Sequence, residues 1–341
     1  MNLQTLQATA KAMVVKGKGI LAMDESTGTC NKRFKKAGVE ETVENHRAYR
    51  DLLVTTPGLS DHISAAILYD ETIRQTTLSG VPFAQYLEKH GILPGIKVDG
   101  GAKDLAGHPG EKVTEGLDGL RERFVEYQKM GARFAKWRAV ITIGPGIPTH
   151  ACIQANAHAL ARYAALAQEV DLVPIVEPEV LIDGDHTLER CYEATRATLR
   201  RVFSELAMQG VAFEGMILKA SMVISGKSCP RQASVEDVAR ETVSCLQNTV
   251  PPAVAGIAFL SGGQGTEQAT ANLNAMNGTY KNLPWPLTFS YARALQQPAL
   301  DTWRGKPGNA AAAQRLLLHR AKLNGAATLG RYSEQMEKDA A

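Results

Sequence analysis

Short, mostly apolar runs alternate with longer stretches of helical periodicity along most of this chain. The runs are Gly19–Met23, Ile63–Leu68, Ile92–Val98, Phe134–Ile141, Leu172–Val176, Gly215–Leu218, Gly256–Leu260 and Leu287–Tyr291. Each has the length and apolar character of a buried strand. Between them, Val113–Met130 places Leu117, Leu120, Phe124 and Tyr127 at helical spacing, and His150–Gln168 is rich in Ala and Leu. Leu188–Met208 and Ser234–Leu246 read as amphipathic helices, and Ala310–Leu323 as a further Ala/Leu helix. Ser234 and Thr114 stand where helix-opening caps belong. Strand–helix alternation of this kind predicts an α/β fold, a (β/α)8 TIM barrel, rather than a doubly wound sheet. No repeat or Pro/Gly/Ser linker divides the chain, so residues 1–341 read as a single domain, with a loosely held polar tail at 333–341.

Several of these strands end in charges, where a strand buried on both faces should remain apolar. The sets are Asp24, Lys97 with Asp99, Lys136 with Arg138, Glu177 with Glu179, and Lys219. Three of them are spaced i, i+2, which puts both side chains on one face of a strand. In a barrel that shared face can be the axis, and the strand ends are where barrel active sites lie. A buried lone charge is costly, so these groups should compensate one another. Lys219 closes an apolar strand and reads either as a snorkelling surface residue or as a nucleophile. A free lysine is an ammonium at neutral pH; desolvation and a nearby cation favour the reactive amine, and Lys136 is the available neighbour. Pro178 should hold Glu177 and Glu179 splayed on one face.

Composition narrows the classes. In 341 residues, 44% are apolar and 21% charged, which permits a large core and excludes disorder. Lys and Arg number 38 against 35 Asp and Glu, a net charge of +3, too even for a dedicated nucleic-acid binder. Cys30, Cys152, Cys191, Cys229 and Cys245 form no Cys-x-x-Cys pair and fit a reducing cytoplasm. Lys11, Lys16 and Lys18 interrupt any signal-peptide core, and no run approaches the length of a membrane span. The histidines lack ligand spacing, so no metal site is expected.

Two stretches read as anion sites. Ser261-Gly262-Gly263-Gln-Gly follows the seventh run, and Arg293 follows the eighth within Phe289-Ser290-Tyr-Ala-Arg. Barrels often hold phosphate in the loops after strands seven and eight, where glycine amides approach the anion and an arginine adds its fork. After the first run, Asp24-Glu-Ser26-Thr-Gly-Thr29 is followed by Lys32 and Arg33, and Lys97 can close this second site. Two anion sites flanking a central lysine suggest a substrate with a phosphate at each end.

At this point the residues match a known family. The chain resembles the class I, Schiff-base fructose-bisphosphate aldolases. Matching stretches include Gly19-Ile-Leu-Ala-Met-Asp-Glu-Ser-Thr-Gly, Gly95-Ile-Lys-Val-Asp, Phe134-Ala-Lys-Trp-Arg, Val173-Pro-Ile-Val-Glu-Pro-Glu, Leu218-Lys, Phe259-Leu-Ser-Gly-Gly-Gln and Leu287-Thr-Phe-Ser-Tyr. The resemblance implies a lyase of glycolysis and gluconeogenesis that cleaves fructose 1,6-bisphosphate to dihydroxyacetone phosphate and glyceraldehyde 3-phosphate without a cofactor. It implies Lys219 as the imine-forming residue, Glu177 as general acid–base, Glu179 as its carboxylate neighbour, and Asp24 as the group that handles the C4 hydroxyl. Lys136 and Arg138 would line the pocket. Ser261, Gly262, Gly263, Ser290 and Arg293, with Arg33 nearby, would take the C1 phosphate, and Ser26, Thr29 and Lys97 the C6 phosphate. It also implies a cytoplasmic homotetramer with no membrane or nucleic-acid partner. Alternative readings are an aldolase preferring another ketose phosphate, such as sedoheptulose 1,7-bisphosphate, and a catalytically silent barrel that only binds.

Three departures stand out. The family's Leu-Lys-Pro-Asn-Met is Leu218-Lys-Ala-Ser-Met here, which predicts a less rigid turn after the lysine. Its Ser-Tyr-Gly-Arg is Ser290-Tyr-Ala-Arg, so Ala292 serves a phosphate only if its φ is negative. The animal enzymes end in a tyrosine that assists proton transfer, whereas the last tyrosine here is Tyr332.

Overall fold

The computed structural model describes residues 1–340. Eight parallel strands close into a barrel: β1 (Gly19–Ala22), β2 (Ile63–Leu68), β3 (Leu93–Lys97), β4 (Phe134–Ile141), β5 (Val173–Val180), β6 (Ile217–Ala220), β7 (Gly256–Phe259) and β8 (Leu287–Tyr291). Neighbouring strands follow chain order, and β1 pairs with both β2 and β8 to complete the ring. Every residue of β1, β2 and β4 through β8 is buried apart from Arg138, as the apolar runs require.

Alternation along each strand sorts the side chains into two cores. Ile20, Ala22, Ala65, Ile67, Phe134, Val173, Ile175, Ile217 and Ala258 fill the barrel interior. The helix Leu3–Met13 joins this same cluster through Leu6, Ala10 and Met13, so it stops the N-terminal mouth of the barrel. Asn2 caps that helix through Thr5 N–H at 3.2 Å, and Ser64 at the start of β2 donates to Met13 O at 2.6 Å. The opposite set of side chains packs under the outer helices. Tyr163 on the helix His150–Glu169 stacks on Trp137 of β4 and donates to the carbonyls of Ala135 and Ile175, tying one helix to two strands.

The helices expected at His150–Gln168, Leu188–Met208, Ser234–Leu246 and Ala310–Leu323 form at His150–Glu169, Leu188–Met208, Val235–Gln247 and Ala310–Thr328. Ser234 caps the third of these through Asp237 N–H at 3.1 Å. The helix expected at Val113–Met130 is shorter, spanning Leu120–Lys129. Gly116 and Gly119 adopt φ of 123° and 65°, which a right-handed helix excludes. Thr114 therefore caps nothing: Lys112–Thr114 pairs antiparallel with Ala102–Asp104, and Thr114 Oγ1 donates to Arg138 O at 2.8 Å. The fifth strand runs past Val176 to Val180, through Pro178. The tail is held more closely than its polarity predicts. Glu337 pairs with the buried Arg320, Tyr332 donates to Glu337 at 2.9 Å, and Met336 packs on the core. Its final residue, Ala341, lies outside the described residues.

Inside the barrel, bulk is balanced against absence of bulk. Gly95 of β3 is paired with Phe134 of β4, and a Cβ added at Gly95 would stand 2.2 Å from the Phe134 ring. Gly95→Ala should therefore destabilise the fold by about 1–3 kcal/mol through overpacking, read as a lower urea midpoint with an unchanged slope. A midpoint equal to that of the parent protein would show that the Phe134 ring moves aside freely.

Candidate active site

On four strands the inward-facing positions change from apolar to charged toward the C-terminal end. Ile20 and Ala22 lead to Asp24; Phe134 to Lys136 and Arg138; Val173 and Ile175 to Glu177 and Glu179; Ile217 to Lys219. The charges spaced along the sequence thus project into one volume above the apolar plug. Asp24, Lys136, Glu177, Glu179 and Lys219 are all buried.

These groups form an alternating chain of contacts. Lys219 Nζ lies 3.2 Å from Glu177 Oε1. Glu177 Oε2 lies 3.5 Å from Lys136 Nζ, and Lys136 Nζ lies 2.7 Å from Asp24 Oδ2. Lys136 thus stands between two carboxylates and does not act on Lys219 as an uncompensated cation. Burial pushes the Asp24 carboxyl up, but Lys136, Lys219 and Lys97 outweigh it and hold the group at about 2. Burial pushes Lys136 down, and Asp24, Glu177 and Asp99 outweigh that and hold its ammonium well above the usual lysine range. The turn after Lys219, expected to be looser for want of proline, is pinned instead: Val180 N–H donates to the buried Ser221 Oγ at 3.0 Å.

The two candidate anion sites lie in loops at this same C-terminal end of the barrel. In one, Gly262 and Gly263 adopt φ of 58° and 93°, a region that favours glycine, directly after Ser261. Ser290 Oγ is buried without a hydrogen-bond partner, and Ala292 has φ −100°, which meets the condition set by its sequence. Arg293 opens the helix Arg293–Trp303 immediately after. In the other, Ser26 precedes the helix Thr27–Ala37 and donates to Thr29 Oγ1 at 3.2 Å instead of capping the helix amides. Lys97 Nζ pairs with Asp99 at 2.8 Å, and Arg138 pairs with Glu179.

Arg33 is already engaged within the protein. It pairs with Glu25 and reaches Gln296 Oε1 at 3.4 Å, which brings it beside the helix that carries Arg293. Its Nε and Nη2 remain without partners. Glu25 also binds Arg50 at 2.6 Å, and burial, which raises its carboxyl, is outweighed by Arg50 and Arg33, which lower it. Sequence reasoning had passed over Glu25, Arg50 and Gln296 as site-builders. A carboxylate directly after Asp24 was the available signal, but its partners lie on separate helices. Asp99, noted only as a companion of Lys97, also accepts from the amides of Gly101 and Arg138 at 3.1 and 3.2 Å. Among the described residues, no group of three or more His, Cys, Asp or Glu is arranged to hold a metal ion. No helix among them is long and apolar enough to cross a membrane.

A carboxyl held at about 2 instead of its ordinary 3.8 adds stability that is complete above 3.8 and is lost as pH falls through about 2. Asp24→Asn should remove this dependence. The parent protein should lose on the order of 2 kcal/mol more than the variant between about pH 5 and about pH 2. Chemical denaturation at both pH values measures it; parallel losses in the two proteins would place the acid sensitivity elsewhere.

Comparison with known proteins follows the same line as this geometry. A family model described as fructose-bisphosphate aldolase class-I matches residues 5–341. A relative named probable fructose-bisphosphate aldolase class 1, from Xanthomonas campestris pv. campestris, is 64% identical over 97% of this chain and 99% of its own. A chloroplastic fructose-bisphosphate aldolase 1 of Chlamydomonas reinhardtii is 51% identical over 99% of this chain and 89% of its own. Among solved structures, a Plasmodium falciparum fructose-bisphosphate aldolase, crystallised with TRAP and a small-molecule inhibitor, superposes with a TM-score of 0.95 at 49% identity. That match covers 97% of this chain and 96% of the other. With its closed parallel barrel, its plugged N-terminal mouth and its charged C-terminal centre, the chain belongs to the class I fructose-bisphosphate aldolase family.

Proposed function

We propose that this protein is a lyase that cleaves fructose 1,6-bisphosphate reversibly through an imine on Lys219. The observation that carries the reading is the buried contact of Lys219 with Glu177, continued through Lys136 to Asp24. Glu177 is close enough to take a proton from the Lys219 ammonium, freeing the amine to attack the ketone carbon. The protonated Glu177 can then return that proton to the departing hydroxyl, which leaves as water and creates the iminium. When the C3–C4 bond breaks, its electron pair flows into the iminium to give an enamine. Asp24, held ionised, accepts the C4 hydroxyl proton, and glyceraldehyde 3-phosphate departs. Protonation of the enamine and hydrolysis release dihydroxyacetone phosphate and restore Lys219.

Lys136 then has a role different from the one its sequence position suggested. Its charge helps hold the Asp24 carboxyl low, so that Asp24 acts as a base, while its second contact is with Glu177. Ser261, Gly262, Gly263, Ser290 and Arg293 would take the C1 phosphate, and Ser26, Thr29 and Lys97 the C6 phosphate, with Arg138 and Glu179 shaping the pocket between them. We infer a cytoplasmic homotetramer from the family resemblance, to which five free, buried cysteines add support for a reducing compartment.

Borohydride added with dihydroxyacetone phosphate should attach one adduct to Lys219, located by peptide mapping. Labelling that survives Lys219→Ala would overturn the imine assignment. Glu177→Gln should lower kcat by about 10²- to 10⁴-fold, the range of a lost general acid–base group.

The two flanks separate by substrate. Lys97→Ala should weaken kcat/KM for the bisphosphate by about 10- to 150-fold while sparing fructose 1-phosphate, whereas Arg293→Ala should harm both sugars. Equal losses on both sugars for Lys97→Ala would reverse or abolish the assignment of ends.

A further inference from the structure

The loops that follow β5 and β6 are laced together beside the glycines of the ketose-phosphate flank. Gly226 N–H donates to His186 O at 2.8 Å, Lys227 N–H to Ile182 O at 2.8 Å, and Ser228 N–H to Gly184 O at 2.9 Å. A Cβ on Gly226 would stand 2.4 Å from Gly184 O, so the two segments meet backbone to backbone. This lacing fixes the base of the Lys227 side chain, while its stem and ammonium reach across to the loop after β7. The point where a Cβ of Gly263 would stand lies 2.8 Å from Lys227 Nζ and 3.1 Å from Arg293 Nη2. Two cations, one from the loop after β6 and one from the helix after β8, thus converge on the surface of a glycine whose φ of 93° disfavours a side chain.

Two neighbouring cations repel unless an anion joins them. Lys227 Nζ pairs with Asp183 Oδ1 at 3.1 Å, and both side chains are well exposed, at 44% and 67%. A solvent-exposed pair of this kind is held weakly. A phosphate dianion offers a stronger charge-assisted partner and would bridge Lys227 and Arg293 at once.

Resting on the aldolase reading above, we propose that Lys227 is a further phosphate-binding residue of the ketose end, which exchanges Asp183 for the C1 phosphate as substrate binds. None of the residues assigned to that flank from the sequence included it. Its signal is faint, because a lysine in Ser225-Gly-Lys-Ser reads as an ordinary exposed loop residue. The contact serves binding rather than the bond-breaking step, so its effect belongs in KM. It also acts on every sugar with a C1 phosphate, whether or not a second phosphate is present.

The test is steady-state cleavage of fructose 1,6-bisphosphate and fructose 1-phosphate by the full chain. Lys227→Met should raise KM for both sugars by about 5- to 30-fold, with kcat within about twofold. Lys227→Arg should restore most of the loss, and Asp183→Asn should lower KM by about twofold by releasing the ammonium. Borohydride trapping at saturating dihydroxyacetone phosphate separates this proposal from the reading beneath it. An adduct on Lys219 in both the parent and Lys227→Met, together with unmoved KM values, overturns the role of Lys227 alone. No adduct in the parent overturns the imine reading itself. A loss confined to the bisphosphate, or one expressed in kcat, would likewise refute the proposal.

Discussion

Burying Lys219, Glu177, Lys136 and Asp24 at one end of a barrel costs several kcal/mol per ion unless each meets an opposite charge, and that requirement couples four strands. The positive and negative groups alternate, so each carboxylate or ammonium has its compensation only while the strand bearing its neighbour stays in register. A one-residue slip of β4 would turn Lys136 and Arg138 outward, take the ammonium contact from Asp24 and leave Glu177 with Lys219 alone. The same alternation underlies the mechanism proposed above. A proton can move between Lys219 and Glu177 without isolating a charge, because Lys136 remains against both carboxylates.

The rest of the molecule supports that centre by specialising its two ends. Below it, inward positions are apolar and the helix Leu3–Met13 completes their packing. Above it, the loops carry the candidate cations and glycine amides. Glu25 joins these regions from behind: it follows Asp24 directly, clamps Arg33 and Arg50, and touches Gln296 at 3.2 Å. The first strand end is therefore braced by two outer helices and by the helix after β8.

Much of this was legible in the sequence because strands have a period of two. Lys136 with Arg138 and Glu177 with Glu179 declare a shared face without any knowledge of the fold. The apolar runs located every barrel strand, although Pro178 hid the continuation of β5 to Val180. What escaped depended on contacts distant along the chain or on backbone sign. Leu117, Leu120, Phe124 and Tyr127 keep helical spacing, yet positive φ at Gly116 and Gly119 breaks the segment before Leu120. The Glu25 clamp joins residues from three elements, and no local pattern announces it. Lys136 was readable as a neighbour of Lys219, but its two carboxylate partners, which reverse its electrostatic meaning, appear only when the strands assemble.

The stopper formed by Leu3–Met13 has a consequence for stereochemistry. With one mouth filled by Leu6, Ala10 and Met13, the described residues leave the opposite end of the barrel as the entrance to its centre. On the mechanism proposed above, the planar enamine left on Lys219 then lies between two unlike sides, one turned to protein and one to that entrance. A proton that arrives through that entrance reaches its carbon from the side turned toward it. Handedness at that carbon would follow from which end of the barrel is closed, without a separate residue devoted to choosing it.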